Sequence, residues 1–281
     1  MIDLHCHTKI SDNSFTIREV ITMAKNEGVT HLAITDHDTT IGLEEAAQTG
    51  QDLGVEIIPG IEISAYDFQR NTRAHILGYY ITPGHAALSQ LCDPMIKKRH
   101  EASQEMVQLI KEAGYDITWE QVERYAEGGT GVYKQHIMHA LLDKGYTQTI
   151  YGDLYKKLFS RGEQGGEKGI AYISLEYVDA FDAIDAIRQA GGVPVIAHPK
   201  QFNNFAAIPE WKVAGLQGIE VRHPLHDENT EQLAQQIAKN FNLLKTGGSD
   251  FHGFYSETDQ CPLGSKNIGM DNLQALQQRI S

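Results

Sequence analysis

With 281 residues, 41% of them hydrophobic and 22% charged, the chain is long enough for one large domain with an insertion and apolar enough to bury a substantial core. Its formal net charge of −13 argues against a broad basic surface that tracks nucleic acid, although bound divalent cations would add local positive charge for a phosphorylated ligand. No apolar run approaches the roughly 20 residues of a membrane span, Met1 leads into strand-like sequence without a signal-peptide pattern, and three cysteines lack a CxxC pair, so a cytoplasmic protein with reduced thiols is expected.

In chain order, "IDLHCHT" reads as a strand. "TIREVITMAKNEG" follows as a helix, with Thr16 as N-cap, Glu19 completing a capping box and Gly28 at its end. "THLAITDHD" is a strand, "GLEEAAQTGQDLG" a helix, and "VEIIPGIEISA" and "AHILGYYI" are strands. Beyond Pro83 and Gly84 the texture turns helical, first from about Ala86 to Ala113 and then in mixed polar helices to about Lys157. The stripe Met106, Leu109 and Ile110, with Tyr115 and Trp119, reads as the core of this region. The stretch "RGEQGGEKG" reads as a mobile loop. From Leu175 the alternation resumes with helix "VDAFDAIDAIRQAG", strands "VPVIAHP" and "LQGIEVRHP", helix "DENTEQLAQQIAKNF" and strand "LLKTGGSDFH". The pattern predicts an α/β fold: a βα barrel with a first segment over 1–84 and a second over 169–281, split by a mainly helical insertion over 85–168.

The strand-like runs of the barrel portion carry metal-ligand side chains at or near their ends: His5 and His7, His37, Glu62, His75, His198, and Asp250 with His252. In such barrels the carboxyl ends of the strands converge on one face, so residues distant in sequence become neighbours. Strand alternation turns His5 and His7 the same way and Cys6 the other, into packing; Asp250 and His252 are related likewise around Phe251. Imidazole and carboxylate together suit Zn²⁺, Mn²⁺ or Fe²⁺. Burying so many polar groups without a cation would be costly in desolvation.

The segments "DLHCHTKISD", "AITDHD", "PGIEIS", "HILGYY", "VIAHP" and "GGSDFHG" resemble the successive motifs of the PHP (polymerase and histidinol phosphatase) superfamily of phosphoesterases. The resemblance implies a distorted seven-stranded βα barrel and two or three divalent ions. By it, His5, His7, Glu62 and Asp250 hold one ion; Glu62 bridges to a second held by His75 and His198; Asp12, His37 and His252 hold a third. Ions sharing a carboxylate can lower the pKa of water to near neutrality and clamp a phosphate for in-line attack, which makes phosphoester hydrolysis the implied reaction. Asp36 and Asp38 flank His37 as candidate acceptors for its ring.

The helical insertion is similar to that of the superfamily members that act on nucleoside phosphates or oligonucleotide 5′ ends. In "GVYKQHIMHALLDKG" that group usually places an Arg and a His two residues apart toward the substrate; here Lys134 stands for the Arg and His136 is present. Lysine offers a point charge without the bidentate fork. Lys168 in "GEKGIAYI" is a further substrate candidate. His223, after a barrel strand, is read as a substrate contact and proton donor, and Asp250 as catalytic beside it. His226 shares that role or caps the next helix, and Arg222 points away. His31, His85, His100 and His139 fall outside the motifs and are read as surface or packing residues. The leading expectation is a metal-dependent phosphatase of a small phosphorylated metabolite, a nucleoside mono- or bisphosphate. Alternatives are a 5′-3′ exonuclease on short oligonucleotides, a histidinol-phosphate phosphatase, and a non-catalytic metal-stabilised scaffold.

Overall fold

The structure, a computed structural model, describes residues 1–162, 166–256 and 261–280. The centre of the stretch read as a mobile loop lies outside the described residues. Strands β1 (Ile2–Asp3), β2 (His31–Ile34), β3 (Glu56–Asp67), β4 (Thr72–Tyr79), β5 (Val178–Asp179), β6 (Val193–Ile196), β7 (Gly218–Arg222) and β8 (Leu244–Gly247) share one sheet. Its order is β1-β2-β3-β4-β6-β7-β8, with β5 paired to β3. Backbone bonds bring the two edges together: Leu4 N–H donates to Gly247 O at 3.2 Å, Asp250 N–H to His5 O at 2.9 Å and His7 N–H to Phe251 O at 3.2 Å. The seven ordered strands thereby make a nearly closed barrel.

One strand distorts it. Neighbours are parallel except around β4, which is antiparallel to both β3 and β6. Because β4 runs backward, its start lies at the end of the barrel where the other strands finish. His75 lies in the first half of β4 and for that reason joins residues from the same end of the other strands.

Apolar side chains from across the ring, among them Leu4, Ala33, Ile58, Leu77, Tyr79, Val195 and Leu244, meet in one cluster with Leu273 and Leu276 of the last helix. Only the barrel interior is common to strands that are not neighbours, so this cluster fills the barrel. Outside it pack helices α1 (Ile17–Asn26) and α2 (Leu43–Leu53). The capping box on α1 forms, with Glu19 accepting from Thr16 N–H at 2.8 Å. Helices α3 (Ala86–Glu112), α4 (Trp119–Tyr125), α5 (Lys134–Asp143) and α6 (Asp153–Phe159) follow, then α7 (Ala180–Gln189), α8 (Ile208–Ala214), α9 (Glu228–Asn240) and α10 (Met270–Gln277).

Helices α3 to α6 have an apolar cluster of their own, built on Met106, Ile110, Val122, Ile137, Leu141 and Phe159, with Leu109, Tyr115 and Trp119 packed against it. Tyr255, from the loop after β8, joins that cluster. Largely covered Arg99 of α3 ties the layer to the barrel, donating to Asp38 at 2.8 Å and to Ser64 at 3.1 Å while lying over the Tyr133 ring. No helix among the described residues is long and apolar enough to cross a membrane.

Candidate metal centre

Glu62 projects from the middle of β3 into a ring of imidazoles. Its Oε1 lies 2.9 Å from His75 Nδ1 and 2.9 Å from His198 Nε2. Its Oε2 lies 3.1 Å from His7 Nε2, 3.3 Å from His5 Nε2 and 3.3 Å from His37 Nδ1. Asp250 closes the cluster from the loop after β8: Oδ1 is 3.3 Å from His5 Nε2 and 3.2 Å from His7 Nε2, and Oδ2 is 3.2 Å from His223 Nε2. Asp12, in the loop after β1, meets His252 Nε2 at 3.3 Å, His7 Nδ1 at 3.6 Å and His37 Nε2 at 4.0 Å.

The backbone makes this crowding possible. Gly248 packs so closely on the first strand that a Cβ there would lie 2.2 Å from His5 N, so only glycine lets the two edges meet. His198 and Asp250 adopt positive φ, 21° and 51°, which side-chain-bearing residues seldom do. Such strain is tolerated where surrounding contacts fix the residue.

Burial opposes every charge here, yet mutual attraction overcomes it for several groups. Despite burial, the carboxyls of Glu62 and Asp250 are held well below the usual range by the imidazoles around them, foremost His5, and Asp12 is lowered by His252 and His37. Burial disfavours the His7 cation, but the Asp250 and Glu62 carboxylates beside its Nε2 raise its pKa to about 10. His5 and His252 are also raised, against burial, by neighbouring carboxylates. At His37 burial wins and the pKa falls to about 4; His75 and His223 are lowered for the same reason. Protons on some rings thus supply the positive charge that the carboxylates demand. A cation would supply the same charge and free the nitrogen lone pairs for ligation.

The residues fit a metal ion by a further test. His5 Nε2, His7 Nε2, His37 Nδ1 and Asp250 Oδ1 are buried and face the cluster with no properly oriented hydrogen-bond partner among the described residues. Potential ligand atoms lie mutually within 4.8 Å in the groups His5, His7, Glu62 and Asp250; His7, Asp12, His37 and His252; His37, Glu62 and His75; and His5, Glu220 and His223.

The remaining candidates fall in different places. Above the cluster is a cavity of about 330 Å³ lined by Asp12, His37, Glu62, His75, His198, His223, Asp250 and His252, together with Arg73, Gln135 and Phe202. His223 Nδ1 accepts from Leu225 N–H at 3.1 Å, which leaves its proton on Nε2, toward Asp250. Lys134 starts α5 with its ammonium 5.2 Å from the centre of the Phe159 ring; burial and the nearby cations Arg73, Arg161 and Arg99 lower its pKa to about 8. His136 is fully buried and accepts from Tyr133 N–H at 3.1 Å, capping its own helix. Lys168 is exposed, its ammonium 5.4 Å from the centre of the Tyr172 ring, and does not line the cavity. His226 Nδ1 bonds Val221 O at 2.9 Å, and Asp227 caps α9 instead.

Asp36 and Asp38 do not orient His37. Asp36 accepts from the backbone and hydroxyls of Thr8 and Ser11, and Asp38 from Ser64 and Arg99, so both brace loops. Sequence reasoning missed Gln135, which donates to Asp12 at 3.0 Å between the two residues it singled out, and Glu220, buried behind His5. Strand alternation in "GIEVR" sets Glu220 on the same face as Arg222, which was read as pointing away; an irregularity between the two breaks that pattern, so no local signal marked Glu220.

Residues 3–192 match the family model described as the PHP domain. The chain is 40% identical to the phosphoribosyl 1,2-cyclic phosphate 1,2-diphosphodiesterase of Eggerthella lenta, over 89% of this chain and 94% of that protein. It is 31% identical to the 3′,5′-nucleoside bisphosphate phosphatase of Chromobacterium violaceum, over 89% of this chain and 87% of that protein. A crystal structure from Bifidobacterium adolescentis, provisionally described as a metal-dependent phosphoesterase, superposes with a TM-score of 0.87 at 28% identity, covering 100% of this chain and 96% of that one. A nearly closed seven-stranded barrel, a histidine and carboxylate cluster fit for cations and these matches lead to one conclusion: the chain belongs to the PHP family and is a metal-dependent phosphoesterase, a hydrolase of phosphate ester bonds.

Proposed function

We propose that this hydrolase, acting in the cytoplasm, removes phosphate from a small phosphorylated metabolite, a nucleoside mono- or bisphosphate. The observation that carries the reading is the Glu62 carboxylate within 3.3 Å of five imidazoles at the floor of a cavity of about 330 Å³. That volume suits one small ligand rather than a polymer track. In this reading His5, His7, Glu62 and Asp250 hold one divalent ion, His75 and His198 a second with Glu62 shared, and Asp12, His37 and His252 a third. Mn²⁺, Zn²⁺ or Fe²⁺ bound there supplies Lewis-acid charge for a phosphoryl oxygen and lowers the pKa of water.

The chain's own groups do the rest. Arg73, which lines the cavity and lies over the Phe202 ring at 4.6 Å, neutralises substrate charge, and Lys134, outside the lining but close enough for Arg73 to lower its pKa, adds positive potential. His223 keeps its proton on Nε2 through the Nδ1 bond to Leu225 N–H, and substrate binding turns that proton from Asp250, 3.2 Å away, to a substrate oxygen. Gln135 steadies Asp12. From the proposed 85–168 insertion, Gln135 of α5, Tyr151 just before α6 and Tyr155 of α6 form one wall of the cavity.

A second reading, hydrolysis of a cyclic phosphate of ribose, is favoured by the 40% identity to the Eggerthella lenta enzyme. The test is phosphate and product release with Mn²⁺ or Zn²⁺ from a panel of nucleoside monophosphates, 3′,5′-bisphosphates, a ribose 1,2-cyclic phosphate, short oligonucleotides and histidinol phosphate. Preferred turnover of the mono- or bisphosphates supports the first reading, and preferred turnover of the cyclic ester supports the second. Preference for oligonucleotides or histidinol phosphate replaces both, and no turnover with any metal favours a non-catalytic scaffold.

A further inference from the structure

Behind the His5 ring, on the side away from Glu62, lies a second carboxylate. Glu220 of β7 is fully buried, and its two oxygens lie 3.1 and 3.3 Å from His5 Nδ1. Its Oε2 also accepts the backbone N–H of His198 at 2.8 Å, where His198 carries the positive φ noted above. We propose that Glu220 is a positioning residue that fixes the tautomer of His5 and the backbone of His198, so that one carboxylate aligns an imidazole in each of two adjoining ligand sets. The inference rests on the metal reading of the site.

The argument turns on where the His5 proton sits. For Nε2, which faces Glu62 and Asp250 at 3.3 Å each, to offer a lone pair to a cation, the ring proton must lie on Nδ1. A group that only accepts forces that choice, and an ionised carboxylate only accepts. A glutamine at 220 would keep its carbonyl on His198 N–H, because a backbone N–H can only donate, and would turn its NH₂ toward His5 Nδ1. His5 would then carry its proton on Nε2 alone, facing Glu62 and Asp250, with Nδ1 accepting from the glutamine. The metal-free protein would lose no hydrogen bond, but the ligand lone pair would be gone. Glu220 does not serve as the centre of a further ion site: His5 Nδ1 and His198 N–H engage its oxygens, and His223 is held at both ring nitrogens, by Leu225 N–H and Asp250.

The experiment compares the wild type with Glu220→Gln and Glu220→Asp by Zn²⁺ titration against a competing chelator and by thermal unfolding of the metal-free proteins. Glu220→Gln should weaken Zn²⁺ binding by about 10–100-fold, more than Glu220→Asp does, although the isosteric Gln variant is the more stable of the two without metal. A role in packing alone predicts the reverse ranking, and that ranking, or wild-type Zn²⁺ affinity in Glu220→Gln, overturns the proposal. Should Glu220→Gln not fold, the ¹⁵N spectrum of the Zn²⁺-loaded wild type decides: a proton on His5 Nδ1 supports the proposal and its absence overturns it. A wild type that binds no divalent ion overturns the metal reading itself, and this inference with it.

Discussion

At the barrel mouth seven imidazoles, those of His5, His7, His37, His75, His198, His223 and His252, face the carboxylates of Glu62, Asp250 and Asp12. In the helical layer three others use their Nδ1 atoms differently: His100 on Val132 N–H, His136 on Tyr133 N–H and His139 with the Tyr255 hydroxyl. Residue type is the same in both regions; carboxylate density is not. Where several carboxylates crowd the rings, charge must be balanced by protons or cations, and a site for chemistry results. Where backbone and hydroxyl partners serve instead, a histidine packs into the layer with little charge to balance, although His136 Nε2 is buried without a hydrogen-bond partner among the described residues.

The largest effect that would break this contrast is at its centre. Glu62→Gln keeps the shape but removes the shared charge, and kcat/KM on the preferred substrate should fall at least about a thousandfold, equivalent to about 4 kcal/mol of transition-state stabilisation. Metal content measured on the same sample should fall with it; activity within tenfold of wild type would remove Glu62 from the centre. Next is Gly248→Ala, whose new methyl must displace the His5 backbone. Urea unfolding should show a loss of about 1–3 kcal/mol, accompanied by weakened metal binding.

His136→Ala sharpens the comparison from the other side. Loss of a buried cap should cost about 1 kcal/mol of stability and change KM less than threefold. A tenfold rise in KM with unchanged unfolding would instead move His136 to the mouth. Titration supplies a further contrast, in the metal-free protein. The His7 pKa is raised from 6.5 to about 10, so the stability it contributes is fully present below pH 6.5 and is lost as pH rises toward 10. His37 is lowered to about 4, so its neutral form costs stability as pH falls from 6.5 toward 4. Metal affinity should do the opposite of the His7 term and rise with pH, because ligation displaces that proton. Thermal unfolding across pH 4 to 10, with and without Mn²⁺, checks these signs. The smallest effect is expected at exposed Lys168, where Lys168→Ala should leave stability within about 0.5 kcal/mol and kcat/KM unchanged.

Legibility followed the range of the interactions involved. The H-x-H pair, the capping box of α1 and the helical stripe of α3 were readable because strand alternation and helical periodicity are local rules. The reversal of β4 was not readable, since "HILGYY" has the same alternation whichever way it runs. Asp36 and Asp38 were misjudged for a related reason: adjacency to His37 in sequence says nothing about which loop a carboxylate will brace.

The sequence by itself determined which side chains could ligate, and that short strands would carry them to one end of a barrel, because those properties reside in residue type and in a period of two. Only the tertiary structure decided that five imidazoles share Glu62, that Gln135 rather than its neighbours reaches Asp12, and that Glu220 stands behind His5 from 215 positions away. Contacts at such separations arise from barrel closure and from the reversed strand, and no local pattern of residues encodes where they fall.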